Sequence, residues 1–236
     1  MADDSVPVER VPVDRVTVER VERVAIVTLR RAHKLNALND ALWSGLLAAA
    51  DEIAADLPRA VIITGEGTAF CAGMDLSPTN PQIANLAQAA QDHEIGPMRA
   101  LLEGLRPSID AFVGLPVPVI AAINGLAYGG GAELAVRCDL RVVDPAAEIC
   151  FSEVRLGLMP DMGGCVALTR LVGPSVAADL ICSARRVAAD EALRLGVVNR
   201  VSKPSLVLDE ALRLAASITR NGPRAVRASL AVIRKT

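Results

Sequence analysis

Aromatic side chains are almost absent from this 236-residue chain, which holds three Phe, one Tyr and one Trp. The core therefore has to be assembled from Ala, Val and Leu, in a sequence that is 52% hydrophobic. Small aliphatic side chains in that proportion suit the close layer packing of an α/β protein. Histidine is equally scarce: only His33 and His93 are present, too few and too poorly placed for a Ser/His/Asp site. Cys71, Cys138, Cys150, Cys165 and Cys182 form no CxxC pair or His/Cys cluster, so they read as reduced, buried thiols and no metal site is expected. An excess of charge of one sign is also missing. The net charge of −2 gives no pull toward nucleic acid or an anionic membrane. No apolar run is long enough to span a bilayer, and the opening residues are charged and proline-punctuated where a signal peptide would be apolar. A cytoplasmic protein is expected. Lysine occurs only at Lys34, Lys203 and Lys235, and the bias toward Arg and Ala reads as a GC-rich bacterial genome.

What is present is a strand-then-helix alternation. Residues 1–15 repeat a VPVER-like pattern broken by prolines and are expected to form a mobile arm. VTVERV and VAIVTL read as two strands joined at residues 22–23. Residues 39–55 have helical periodicity, with Leu42, Leu46 and Ile53 as the apolar stripe and Asn39 or Asp40 as cap. AVIIT (60–64) and PVPVIAAI (116–123) are apolar runs short enough for buried strands. The polar stretch 77–91 is expected to be mobile or irregular, and 98–115 helical. A glycine-rich turn over 124–131 leads to a helix from about Ala132, then two strands at 140–143 and 148–151. Beyond Gly163 the pattern is mostly helical.

Three segments leave buried strands as loops: AFCAGMDL (69–76), IAAINGLAYGGGAEL (120–134) and FSEVRLGLMPDMGG (151–164). The triple glycine before a helix lets backbone approach a ligand and leaves N–H groups free at a helix N-terminus. Glu133 falls in the first turn of that helix, where a carboxylate caps exposed donors or works as an acid or base beside them.

Together with AHKLNALN (32–39), CDLRV after the glycine turn and ADEALRLGVVNRV late in the chain, these blocks resemble the enoyl-CoA hydratase/isomerase, or crotonase, superfamily over about residues 16–229. The resemblance implies an α/β crotonase-like spiral of ββα units forming two roughly perpendicular sheets, with a C-terminal helical region. In domain terms it implies a core over 16–203 and helices over 204–236, apparently truncated against the family's usual length. It further implies an acyl-coenzyme A thioester substrate and no separate cofactor, since coenzyme A is part of the substrate. A homotrimer or dimer of trimers is the implied assembly, with neither nucleic acid nor membrane as partner.

Carried over by position, the resemblance puts the oxyanion-hole N–H groups at Met74 and Gly130. The acids of the hydratases fall at Glu133 and Glu153, and an isomerase-type aspartate at Asp161, where hydratases usually carry a small residue. The competing reading of Asp161 is an N-cap for a helix starting near Met162. Coenzyme A contacts would come from Lys34, Leu35, Ala72, Asp75 and Leu76, largely through backbone. Trp43 reads as core and His33 as solvated. The expected activity is an enoyl-CoA hydratase. The rivals are a dienoyl- or enoyl-CoA isomerase using Asp161 and a non-catalytic acyl-CoA-binding subunit.

Overall fold

The computed structural model describes residues 15–78 and 80–235, so the expected N-terminal arm lies, apart from Arg15, outside the described residues. Strands β1 (Arg15–Val21) and β2 (Val24–Arg30) form an antiparallel hairpin whose turn places Glu22 at φ 53. Helix α1 (Asp40–Ala55) starts where expected: Asn39 Oδ1 accepts from the Leu42 N–H at 3.1 Å. Its stripe of Leu42, Leu46 and Ile53 is fully buried.

Strands β3 (Ala60–Gly65), β5 (Val119–Ile123), β7 (Leu140–Val143) and β10 (Arg200–Val201) extend the hairpin in parallel, giving a six-stranded sheet ordered β1-β2-β3-β5-β7-β10. A second sheet is ordered β4 (Ala69–Cys71), β6 (Leu126–Tyr128), β8 (Glu148–Cys150), β9 (Val187–Ala188). Each successive pair, β3/β4, β5/β6 and β7/β8, gives its first strand to the large sheet and its second to the small one. That alternation is the spiral of ββα turns.

The central strands β3 and β5 are buried on both faces, which explains why they read as continuous apolar runs. Successive side chains point to opposite faces. Val61, Ile63, Val119 and Ala121 therefore join the main core, while Ile62, Ile120, Ala122 and Val142 pack under α8 (Val207–Thr219). The first helix of the C-terminal region thus covers the sheet of the spiral.

Two expectations are corrected. Within the stretch expected to be irregular, residues Pro81–Gln91 form α2, entered through Asn80, whose Oδ1 accepts from the Gln82 N–H at 3.1 Å, with Pro81 at the first position. Its sequence is polar but rich in Ala and Gln, and helix propensity follows side-chain entropy more than hydropathy. The glycine-rich turn contains β6, and α4 (Gly130–Arg137) begins two residues before Ala132. The two-residue strands β9 and β10 fall between the expected helices and went unread, because strands so short leave no periodicity to detect.

The remaining helices are α3 (Gly96–Val113), α5 (Gly164–Val172), α6 (Pro174–Ser183), α7 (Ala189–Leu195) and α9 (Pro223–Ile233). The buried Arg141 fastens β7 to the end of α4, donating from Nη1 to Cys138 O at 2.5 Å and from Nε to Val197 O at 2.7 Å. A cation at a helix C-terminus also meets the negative end of the helix dipole.

Candidate active site

The first loop runs from the end of β4 into a parallel bridge between Leu38 and Met74. Leu38 N–H donates to Gly73 O at 2.7 Å, and Asp75 N–H donates to Leu38 O at 3.0 Å. The peptide groups flanking Met74 are thereby committed to Leu38. Backbone alternation turns Met74's own N–H away from Leu38, and the residue lines the pocket.

The second loop follows β6. Gly129 takes φ 51, and the Glu133 N–H donates to Gly129 O as α4 begins. The N–H groups of Gly130, Gly131 and Ala132 precede that bond and belong to the unsatisfied helix N-terminus. The two loops interlock so closely that only glycine fits between them. A Cβ on Gly73 would lie 2.7 Å from Tyr128 O and 3.1 Å from Gly130 N, and one on Gly131 would lie 2.2 Å from Cys71 O.

The third loop runs from β8 through a 3-10 turn (Glu153–Leu156) to α5. Glu133 is 1% exposed, and its Oε2 accepts from the Gly164 N–H at 2.7 Å. A Cβ on Gly164 would meet Glu133 Cγ at 2.5 Å. This arrangement overturns the reading of Asp161 as a helix cap. The helix starts at Gly164, its N-cap position is Gly163, and the carboxylate capping its first N–H comes from Glu133 on another helix. Asp161 instead lines the pocket.

Both carboxyl oxygens of Glu153 are buried without a hydrogen-bond partner among the described residues. Burial drives the proton affinity of all three acids upward. Desolvation pushes Glu133 up to about 8; the Gly164 N–H opposes that rise, while the nearby Glu153 and Asp161 charges add to it. Glu153 is likewise raised, by burial and by the charge of Asp161. The two carboxyls interact, so they titrate as a linked pair.

These groups open onto a pocket with a cavity volume of about 100 Å³. Its walls are apolar, from Trp43 on α1, from Met98, Leu101 and Leu102 on α3, and from Met159 and Met162 in the third loop. Met74, Gly130, Glu133, Glu153 and Asp161 are brought together there, with Ala72 and Leu76 alongside. Lys34 and Leu35 are exposed outside the pocket, Leu35 at φ 52 and His33 beside them in a 3-10 turn. The side chain of Asp75 turns inward to Arg31 at 2.8 Å, so only its backbone is left for a ligand.

Sequence reasoning missed the α3 wall and the Gly164 N–H. The signal for the second was the Gly163-Gly164 doublet, whose second member admits a carboxylate where a side chain would stand. Trp43 is core, 3% exposed, and is also part of the pocket wall. Among the described residues no cluster of His, Cys, Asp and Glu is placed to hold a metal ion, and no helix is long and apolar enough to cross a membrane.

Paired strands alternating between two sheets, with a glycine-led helix and buried acids around one pocket, define a crotonase-like protein. The chain belongs to the enoyl-CoA hydratase/isomerase family, whose model matches residues 19–236. It is 40% identical to the crotonyl-CoA hydratase of Syntrophomonas wolfei over 215 residues, covering 89% of this chain and 77% of that protein. It is 38% identical to the short-chain-enoyl-CoA hydratase of Clostridium acetobutylicum, covering 90% and 78%. The fold is similar to the crystal structure of an enoyl-CoA hydratase from Bacillus anthracis, with a TM-score of 0.82 and 34% identity over 93% of this chain and 82% of that one.

Proposed function

We propose that this protein is an enoyl-CoA hydratase, adding water across the trans-2 double bond of an acyl-coenzyme A thioester. The observation that carries this is the buried pair of acids Glu133 and Glu153, both of raised proton affinity, lining one pocket with Met74 and Gly130. The thioester oxygen accepts from those two N–H groups, which stabilise the enolate formed as water attacks C3. The ionised carboxyl takes a proton from that water, and the protonated one supplies a proton to C2. Two linked acids of raised proton affinity suit that division of roles. The apolar walls take the acyl chain. Ala72, Leu76 and the backbone of Asp75 support the coenzyme A end at the pocket, with Lys34 and Leu35 on the adjoining surface. Two names among the relatives, crotonyl-CoA hydratase and short-chain-enoyl-CoA hydratase, support the same reaction.

Incubation with crotonyl-CoA is expected to remove the enoyl absorbance. Glu133→Gln or Glu153→Gln should each slow turnover by about 10²–10⁴-fold. Failure to hydrate any enoyl-CoA of short or long chain would sink the reading. It extends to a cytoplasmic bacterial enzyme of fatty acid metabolism, assembled as a homotrimer or dimer of trimers, and sedimentation velocity tests the assembly.

One observation favours a second activity at the same site. Asp161 lines the pocket, and burial raises its proton affinity, so it is a third acid within reach of the acyl chain. Proton shuttling by Asp161 would make the protein a dienoyl- or enoyl-CoA isomerase. Double-bond migration that survives Asp161→Asn unchanged rules this out.

A further inference from the structure

Glu133 and Arg137 sit one turn apart on the same face of α4, and both grip the third loop. Glu133 Oε2 accepts from Gly164 N–H at 2.7 Å, and Arg137 Nη1 donates to Met162 O at 2.8 Å. Between these two attachments Gly163 takes φ 96, and a Cβ there would come 3.1 Å from Arg137 Nε. The guanidinium also reaches α3: Nη2 pairs with Asp110 Oδ1 at 2.6 Å, and Arg106 shares the other oxygen of that carboxylate at 3.5 Å. Arg137 therefore ties together the helix that carries Glu133, the helix that walls the pocket through Leu101 and Leu102, and the loop that carries Asp161 and Gly164.

We infer that Arg137, anchored by Asp110, is a positioning residue that sets the acid geometry of the site by holding Met162 and so aiming the Gly164 N–H at Glu133. The consequence for catalysis rests on the hydratase reading; the consequence for Glu133 itself does not. A planar fork suits the task, because one end holds a carboxylate while the other donates to a carbonyl. The guanidinium lies outside the pocket lining, so its effect passes through the loop and involves no contact with substrate.

The groups facing Glu133 are Glu153 and Asp161, the Cys165 thiol on α5, and the Gly164 N–H, with Arg137 on its own helix. Of these, Gly164 N–H is the contact that Arg137 controls. Drawing it away removes a donor that favours the carboxylate, so the titration of Glu133 moves to higher pH.

The test uses the full chain labelled with carboxyl-¹³C glutamate, the Glu133 resonance being assigned by its loss in Glu133→Gln. Arg137→Met is expected to raise the Glu133 titration midpoint above its wild-type value and to lower kcat on crotonyl-CoA about a hundredfold with KM little changed. Arg137→Lys should restore part of both. An unmoved midpoint in a folded Arg137→Met protein overturns the proposal, whatever happens to its melting temperature. If that variant fails to fold, Asp110→Asn decides: a raised midpoint supports the proposal and an unmoved one overturns it. Absence of wild-type turnover would sink the hydratase reading and leave the midpoint test standing.

Discussion

Glu133 and Gly164 lie 31 positions apart in the chain, yet the Oε2 of one accepts from the N–H of the other at 2.7 Å. The contact caps α5 and fixes one oxygen of a buried acid in a single hydrogen bond. Gly164→Ala would place a methyl group 2.5 Å from Glu133 Cγ, so the side chain or the helix start must shift. The expected outcome is a loss of about a hundredfold in kcat on crotonyl-CoA. Circular dichroism should show the fold retained.

Stability should fall as pH rises across the neutral range, and Glu133 is the reason. Its proton affinity in the folded protein is raised from the ordinary carboxyl value of 4.5 to about 8. Between those values the folded state holds a proton that the unfolded state has lost, so folding is progressively disfavoured. The contribution is fully present below the unfolded value and is lost as pH passes through the folded one. Glu133→Gln removes this titration. Its melting temperature relative to wild type should therefore climb from pH 5 to pH 9. A constant difference would contradict the assignment.

Arg31 and Asp75 form the opposite case, a buried ion pair at 2.8 Å with each side chain 8% exposed. Burial alone would raise Asp75, but the Ser77 contacts and Arg31 outweigh it and hold the carboxyl below its ordinary value. Asp75→Asn removes one charge of this buried pair. Chemical denaturation should register a cost of about 3–5 kcal/mol. Wild type should lose the Asp75 contribution only as pH falls below the ordinary aspartate value.

Gly73 and Met74 are adjacent but should respond very differently to alanine. Gly73 has φ 85, and a Cβ there would lie 2.7 Å from Tyr128 O, which forces the two loops apart. Displacing one backbone donor from the enolate oxygen is expected to cost about 10²–10³ in kcat. Met74→Ala keeps the backbone N–H and trims only the pocket wall, so its effect should fall mainly on KM. Steady-state kinetics on crotonyl-CoA separates the two.

Much of the fold was legible because burial on both faces of β3 and β5 leaves a direct trace. AVIIT and VIAAI have no polar interruption, and Asn39 announces the start of α1 one residue ahead. Helix α2 was not legible, because its polar composition hid a start set by Asn80 and Pro81. Of the residues expected around the acyl group, Met74, Gly130, Glu133, Glu153 and Asp161 all reach one pocket. The Asp75 side chain forms an ion pair with Arg31, a partner that spacing alone does not reveal.

By itself the sequence determined the local conditions of the site: glycines where backbone must pass backbone, a helix start at the triple glycine, and acids at Glu133, Glu153 and Asp161. Tertiary structure alone decided which N–H meets which carboxyl and how strongly each acid holds its proton. The reason is physical. A proton affinity depends on desolvation and on neighbouring charge, and both arise only when the three loops close around the same pocket. Asp161 shows the difference most clearly: read along the chain it caps a helix, and in the folded protein Glu133 has taken that place and left Asp161 facing the substrate pocket.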